Sequence, residues 1–225
     1  MAEPIRNRFL ELLCSIYLYN EHRGYTAIDR MLAAIRVRWP DDTALIAQVE
    51  NHRADERKHY LMFRRWFERR GVMPFDIDRA CGHIDRFVEI VFGAPIDALG
   101  TPEIGREANF EQLCRVISLT ERRGHRQVET LLRDPVVTQD AQLTKIFRVI
   151  EQDEPSHWTP YDGWLADHAR RGPNWRERMV DSFVHGELLL FKLPILFLTP
   201  RLDRRTTWPD RDDDDQGGKP LTAAA

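Results

Sequence analysis

Apolar residues recur at helical spacing along most of the chain, and no alternating run of β-branched residues indicates a strand. Proline and glycine interrupt this pattern at several places where helices are expected to begin or end. The pattern predicts six helices, at about residues 5–38, 41–70, 78–92, 101–133, 136–171 and 173–194. We therefore expect an all-α protein.

Two segments of the first half recur about one hundred residues later. The segment around Glu21 and Gly24 matches that around Glu121 and Gly124, and a second repeated segment carries Asp-Glu-x-x-His in both halves. Two related helical hairpins, at 5–71 and 101–171, predict a four-helix bundle with a pseudo-twofold axis. The third helix would be the crossover between the halves, and the helix at 173–194 would be additional. We expect one domain over residues 1–200 and a polar acidic tail over 201–225.

Each half supplies one lone glutamate and one Glu-x-x-His motif. In that motif the two side chains leave the same helix face one turn apart. Apolar positions flank all six residues, so we expect them to point into the bundle: Glu21, Glu56, His59, Glu121, Glu154 and His157. Four buried carboxylates require compensating charge, because desolvation and mutual repulsion disfavour their ionised forms. Two divalent cations would supply it, and the sequence therefore predicts a dimetal site.

This order of ligands resembles the ferritin-like di-iron carboxylate superfamily, over about residues 5–171. Because Asp precedes Glu-x-x-His in both halves, the site looks more like those of oxygenases and desaturases than that of ferritin. The resemblance implies two iron ions, with manganese as the alternative metal. It also implies that Asp55 orients His157 and that Asp153 orients His59 by hydrogen bonds across the bundle. The alternative for both aspartates is a charged position on the helix surface.

The resemblance implies an oxidoreductase that activates O₂, a hydroxylase or monooxygenase acting on a small or lipophilic organic substrate. An electron-transfer partner is left open. Two other functions use similar ligands. One is a peroxide-reducing enzyme similar to rubrerythrin or manganese catalase, and the other is a non-catalytic iron-binding protein.

Three further features near the predicted ligands have more than one interpretation. Gly24 and Gly124 lie in mid-helix, where glycine costs roughly 1 kcal/mol relative to alanine. They indicate either open space for O₂, a bridging ligand or substrate, or close helix packing. Pro155 predicts a kink or bulge in the fifth helix. His52, one turn before Glu56, is a weaker ligand candidate and more typical of a core histidine.

Composition narrows the classes of function. With 33 Lys and Arg against 36 Asp and Glu, the net charge of −3 argues against a nucleic-acid partner. Three cysteines without a CxxC pair argue against a disulfide scaffold and favour a reducing, cytoplasmic location. The apolar run 188–198 is shorter than the roughly 18 residues of a spanning helix. Because Lys192 and Pro194 interrupt it, we expect it to cover the bundle end or form a homodimer contact, not a peripheral membrane contact.

Overall fold

The structure is a computed structural model that describes residues 3–210, with the backbone alone at residue 80, and 79% of it is helical. The long helices are α1 (Glu3–Arg38), α2 (Thr43–Arg70), α5 (Glu107–Leu131) and α7 (Ala141–Asp167). Shorter helices are α3 (His83–Phe92), α4 (Thr101–Ile104), α6 (Pro135–Thr138), α8 (Trp175–Glu187) and α9 (Leu193–Leu198). Within the described residues there is no β-strand, only an isolated bridge between Phe75 and Arg204. The all-α prediction is confirmed.

The long helices pack as two hairpins. Helix α1 lies along α2, α5 lies along α7, and α2 and α7 join the two hairpins. The Asp42 carboxylate accepts a hydrogen bond from Leu45 N at 3.0 Å and caps the start of α2. Gly71, with a left-handed φ of 64°, ends that helix as predicted.

Three predicted helices are interrupted in the structure. The one predicted at 78–92 begins with a 3₁₀ turn (Arg79–Cys81) and becomes α-helical only in α3. The one at 101–133 divides after Gly105, where Arg106 is extended. The one at 136–171 divides at Asp140, whose carboxylate accepts from Leu143 N at 2.9 Å and caps α7. A capping residue or a glycine inside an otherwise helical pattern is enough to start a new helix.

Two predictions depend on prolines inside helices. Helix α7 continues as an α-helix through both Pro155 and Pro160, so the bulge, one of the two predicted alternatives, is absent. The C-terminal helix does not end at Pro194, because a π turn (Leu188–Lys192) connects α8 directly to α9. In that turn Leu193 N donates to the Leu188 carbonyl, and this wider spacing accommodates the proline, which cannot donate.

The C-terminal helical segment exposes a row of large apolar side chains. They are Trp175, Met179, Phe183, Leu190, Phe191, Ile195 and Leu198. The Lys192 Nζ lies 3.2 Å from Glu187 Oε2, and Pro194 is exposed between Phe191 and Ile195. None of the described helices combines the length and the apolar character needed to cross a bilayer.

Buried apolar residues form clusters at both ends of the hairpins, and Cys14 and Cys114 are fully buried among them. The acidic run at 212–215 and the two glycines after it lie outside the described residues. Asp210, at the start of the predicted tail, is not a solvated residue. It accepts hydrogen bonds from the Tyr60 hydroxyl and, at 2.9 Å, from Arg64 Nη1.

Candidate metal centre

Carboxylates and imidazoles from all four long helices meet between the hairpins. Their ligand atoms form two groups, and within each group these atoms lie within 4.8 Å of one another. One group consists of Glu21, Glu56 and His59. The other consists of His52, Glu56, Glu121 and His157. These groups could hold metal ions, and Glu56 belongs to both of them.

Helical periodicity explains why these polar side chains point inward. On α2, Val49 and Phe63 lie on the same face as Glu56 and are fully buried. On α7, Ile150 and Tyr161 flank His157 in the same way. Burying those apolar side chains against the opposite hairpin carries the ligands into the interior with them.

Each histidine of the repeated motif turns one nitrogen towards the carboxylates. His59 Nδ1 lies 3.4 Å from Glu21 Oε2, and His157 Nδ1 lies 3.4 Å from Glu56 Oε1. Neither Nδ1 has a hydrogen-bond partner among the described residues. Both nitrogens are therefore placed to donate a lone pair to a cation.

The second imidazole nitrogen of each histidine faces an aspartate of the opposite hairpin. His59 Nε2 donates to Asp153 Oδ2 at 2.9 Å, whereas His157 Nε2 lies 3.6 Å from Asp55 Oδ2. Lys58 Nζ lies between the two aspartates, 2.5 Å from Asp55 Oδ1 and 2.7 Å from Asp153 Oδ2. The sequence analysis did not identify Lys58. Its position three residues after Asp55 could have indicated an ion pair, because side chains three residues apart on a helix are neighbours.

Glu154 belongs to neither ligand group. Its Oε2 lies 3.8 Å from His157 Nδ1 and has no hydrogen-bond partner among the described residues. The structure thus brings five of the six predicted ligands into the two groups and places Glu154 at their margin.

His52, a weaker ligand candidate by sequence, belongs to the second ligand group. Its Nε2 lies 3.6 Å from Glu56 Oε1 and 3.8 Å from Glu121 Oε1, without a hydrogen bond to either. Its Nδ1 is 2.8 Å from the Tyr161 hydroxyl, and its ring stacks on that of His157. The repeat does not predict His52 as a ligand, because the second half has Ile150 at the equivalent position.

The pKa values reflect how closely these groups are packed. Burial and the neighbouring Glu21 raise the pKa of Glu56 to about 7, and burial and Glu121 raise the pKa of Glu154 well above its usual range. Burial by itself would lower the pKa of His59, but its contacts with Asp153 and Glu21 raise it to about 9. In the metal-free protein these raised pKa values favour protons on Glu56, Glu154 and His59, and a metal ion would compete with those protons.

Gly24 and Gly124 make room for carboxylates. A Cβ on Gly24 would overlap Glu56 Oε2, and one on Gly124 would come within 3.3 Å of Glu154 Oε1. Both glycines also line an internal cavity. The space expected for O₂ or substrate is therefore partly occupied by the glutamates of the paired helix.

This cavity, of about 120 Å³, lies between α1 and α5 and is also lined by α3 and Leu188. Most of its wall is apolar, including Ile16, Ile28, Met31, Val88, Leu113 and Ile117. The candidate ligands form one part of the wall, and Asn20, His83, Thr120, Arg123 and Gln127 are among its other polar residues. A small molecule in this space would be in contact with the carboxylate cluster.

The donor set of the centre consists of carboxylate oxygens and imidazole nitrogens. Such donors suit divalent iron, manganese or zinc, whereas thiolates, which softer metals prefer, are absent from both groups. The chain matches no protein-family model, and no curated protein or solved structure is significantly similar to it.

Proposed function

We propose that the protein is a ferritin-like di-iron carboxylate oxidoreductase that activates O₂ and oxidises a small organic molecule. The observation that carries this proposal is a set of buried imidazole nitrogens without hydrogen-bond partners in the two ligand groups: His52 Nε2, His59 Nδ1 and His157 Nδ1. Leaving one such atom unsatisfied costs about 1–3 kcal/mol. Three at one place in the interior are best explained by coordination to metal ions.

The architecture supports the same class. In ferritin-like di-iron proteins, two helices of a bundle each contribute a glutamate and the other two each contribute Glu-x-x-His. Here α1 and α5 carry the lone glutamates, and α2 and α7 carry the Glu-x-x-His motifs. The two hairpins face each other through α2 and α7, which brings both motifs to the centre.

The ligand groups suggest which residues would hold each ion. Glu21 and His59 would bind one ion, His52, Glu121 and His157 would bind the other, and Glu56 would lie between them. Charge balance fits, since Glu21, Glu56 and Glu121, together with Glu154 at the margin of the groups, would offset two divalent cations. When bound, a pair of iron(II) ions would supply electrons for the reduction of O₂.

Residues behind the ligands fix their orientation. Asp153 accepts the Nε2 proton of His59 and so leaves the Nδ1 lone pair directed at the centre. Lys58 offsets the charge of both aspartates, which keeps them ionised and able to accept these protons. Tyr161 holds His52 through its hydroxyl.

The cavity favours an organic substrate over hydrogen peroxide. Its wall is mainly apolar, so it would exclude water and accept a hydrocarbon surface next to the ligands. A centre that handled only peroxide would not require an apolar space of this size.

The test is anaerobic loading of the full chain with iron(II), followed by metal analysis and absorption spectra before and after O₂ is admitted. We expect a pair of irons per chain, consumption of O₂ and a spectral change. Glu56→Ala should lose all three, whereas Glu50→Ala, an exposed position on the same helix, should retain them. Iron that binds without consuming O₂ would indicate a non-catalytic iron protein, and turnover of peroxide alone would indicate a peroxidase-type enzyme.

A further inference from the structure

We propose that the cavity binds a small organic carboxylate through Arg123 and His83, which makes an apolar carboxylic acid the substrate class of the proposed oxidation. The oxidation step rests on the proposed function. The binding step depends only on these residues and can be tested without metal.

Arg123 is the only lysine or arginine among the described residues that line the cavity. Its side chain is buried between α5 and α8, where Nε donates to Asp181 Oδ1 at 3.1 Å and Nη1 to Gln127 Oε1 at 3.4 Å. Asp181 and Gln127 account for two of its five N–H groups. A buried guanidinium at a cavity wall is suited to a carboxylate, with which it forms charge-assisted hydrogen bonds.

His83 lies at the same end of the cavity. It is only 4% exposed, it lines the cavity, and neither ring nitrogen has a hydrogen-bond partner among the described residues. Its Nε2 is 3.4 Å from Asp181 Oδ1, the atom that also accepts from Arg123, so the two side chains converge. Asn20 Oδ1 accepts from His83 N at 2.8 Å and holds the start of α3 in place.

The rest of the cavity wall is mainly apolar and suits an apolar group attached to the carboxylate. Aliphatic side chains such as Ile28, Leu113 and Ile117 form much of the remaining wall. The cavity, at about 120 Å³, is somewhat smaller than the roughly 150 Å³ of one that holds a benzene ring, but it is partly open to solvent. A molecule the size of benzoate, with its carboxylate at Arg123, would therefore fill the cavity and extend into its opening.

The test measures binding of benzoate and of its neutral analogue benzamide by calorimetry, with the full chain both metal-free and zinc-loaded. We expect benzoate to bind at least roughly tenfold more tightly than benzamide, since a charge-assisted hydrogen bond contributes more than a neutral one. Arg123→Gln/Asp181→Asn removes both charges of the buried pair together, so that neither is left unpaired. In this variant benzoate should bind roughly tenfold or more weakly.

A matched control lies on the same two helices. Arg115 and Glu177 form a second buried ion pair between α5 and α8, at 2.8 Å, but neither lines the cavity. Arg115→Gln/Glu177→Gln should therefore retain benzoate binding, and circular dichroism verifies the helical content of each variant.

Equal binding of benzoate and benzamide would overturn the proposal, as would unchanged benzoate binding in Arg123→Gln/Asp181→Asn. An equal loss in the control variant would also overturn it, because the effect would then be structural. If the chain binds benzoate through Arg123 but takes up no iron, the carboxylate site stands and the proposed oxidase function fails.

Discussion

The two hairpins carry the same ligand pattern, but their surroundings differ. Glu21, Glu56 and His59 of the first hairpin correspond by sequence to Glu121, Glu154 and His157 of the second. Next to the ligands, the first hairpin has His52, which contacts Tyr161 across the centre at 2.8 Å. The symmetry-related positions hold Ile150 and Phe63, which are buried in one apolar cluster. The repeat thus predicts two equivalent ligand groups, and the two groups in the structure differ.

The same contrast holds for Arg23 and Arg123, which occupy equivalent positions in the repeat. Arg23 pairs with both Asp85 and Asp97, at 2.7 and 2.8 Å. Arg123 has Asp181 as its one carboxylate partner in the described structure, and it faces the cavity. A duplicated residue keeps its position in the helix, but its partners are set by the helices outside the repeat.

The largest expected effect tests whether the two motif glutamates are equivalent. Glu56 belongs to both ligand groups and Glu154 to neither. We therefore expect Glu56→Ala to lose both metal ions and Glu154→Ala to retain at least one, because removal of a shared ligand weakens both sites. Metal analysis of dialysed protein measures this. Equal loss in the two variants would mean that the hairpins are equivalent.

The next largest effect concerns protons at the metal-free centre. Because the pKa of His59 is raised from about 6.5 to about 9, its contribution to stability is complete below pH 6.5 and is lost as the pH rises towards 9. The loss amounts to about 2–3 kcal/mol. Urea denaturation at pH 6 and pH 9 should show a larger decrease in the unfolding free energy for the metal-free wild type than for His59→Gln. The same slope in both proteins would contradict this prediction.

A third prediction concerns a variant in which position 52 of the first hairpin carries the residue type of the equivalent position in the second. His52→Ile removes the extra imidazole, and we expect one ion to bind about 10–100-fold more weakly while the other is retained. Competition with a chelator measures both affinities. Ile150→Val, at the equivalent position of α7, is the control and should leave them unchanged. Unaltered binding in His52→Ile would show that His52 is a core residue and not a ligand.

The smallest effect compares the two glycines. In Gly24→Ala the new Cβ displaces the Glu56 carboxylate, and a strained rotamer of about 0.5–1.5 kcal/mol should weaken metal binding by up to about tenfold. In Gly124→Ala the contact with Glu154 is 3.3 Å, which a small shift relieves. That variant should keep its metal affinity and gain up to about 1 kcal/mol of stability from helix propensity. Chelator competition and thermal denaturation separate the two effects, and equal metal loss would remove the contrast.

Much of the fold could be predicted because it depends on local patterns. Helical periodicity and Gly71 predict the hairpin of α1 and α2 correctly. The breaks at Gly105 and Asp140 are not predicted, because glycine and aspartate also occur inside helices and the apolar period does not distinguish a cap from a continuing helix. Pro194 was expected to end the C-terminal helix, but the helix continues past it because a single π turn accommodates the proline.

The amino-acid sequence by itself determined which residue types lie on the inner faces of the helices, because period and duplication depend only on spacing along the chain. It therefore identified five of the residues that meet in the two ligand groups. Only the tertiary structure decided that His52 joins them, that Glu154 stands at the margin and that Lys58 links the two aspartates. These outcomes depend on distances between helices that are remote in sequence, and periodicity within one helix carries no information about such distances.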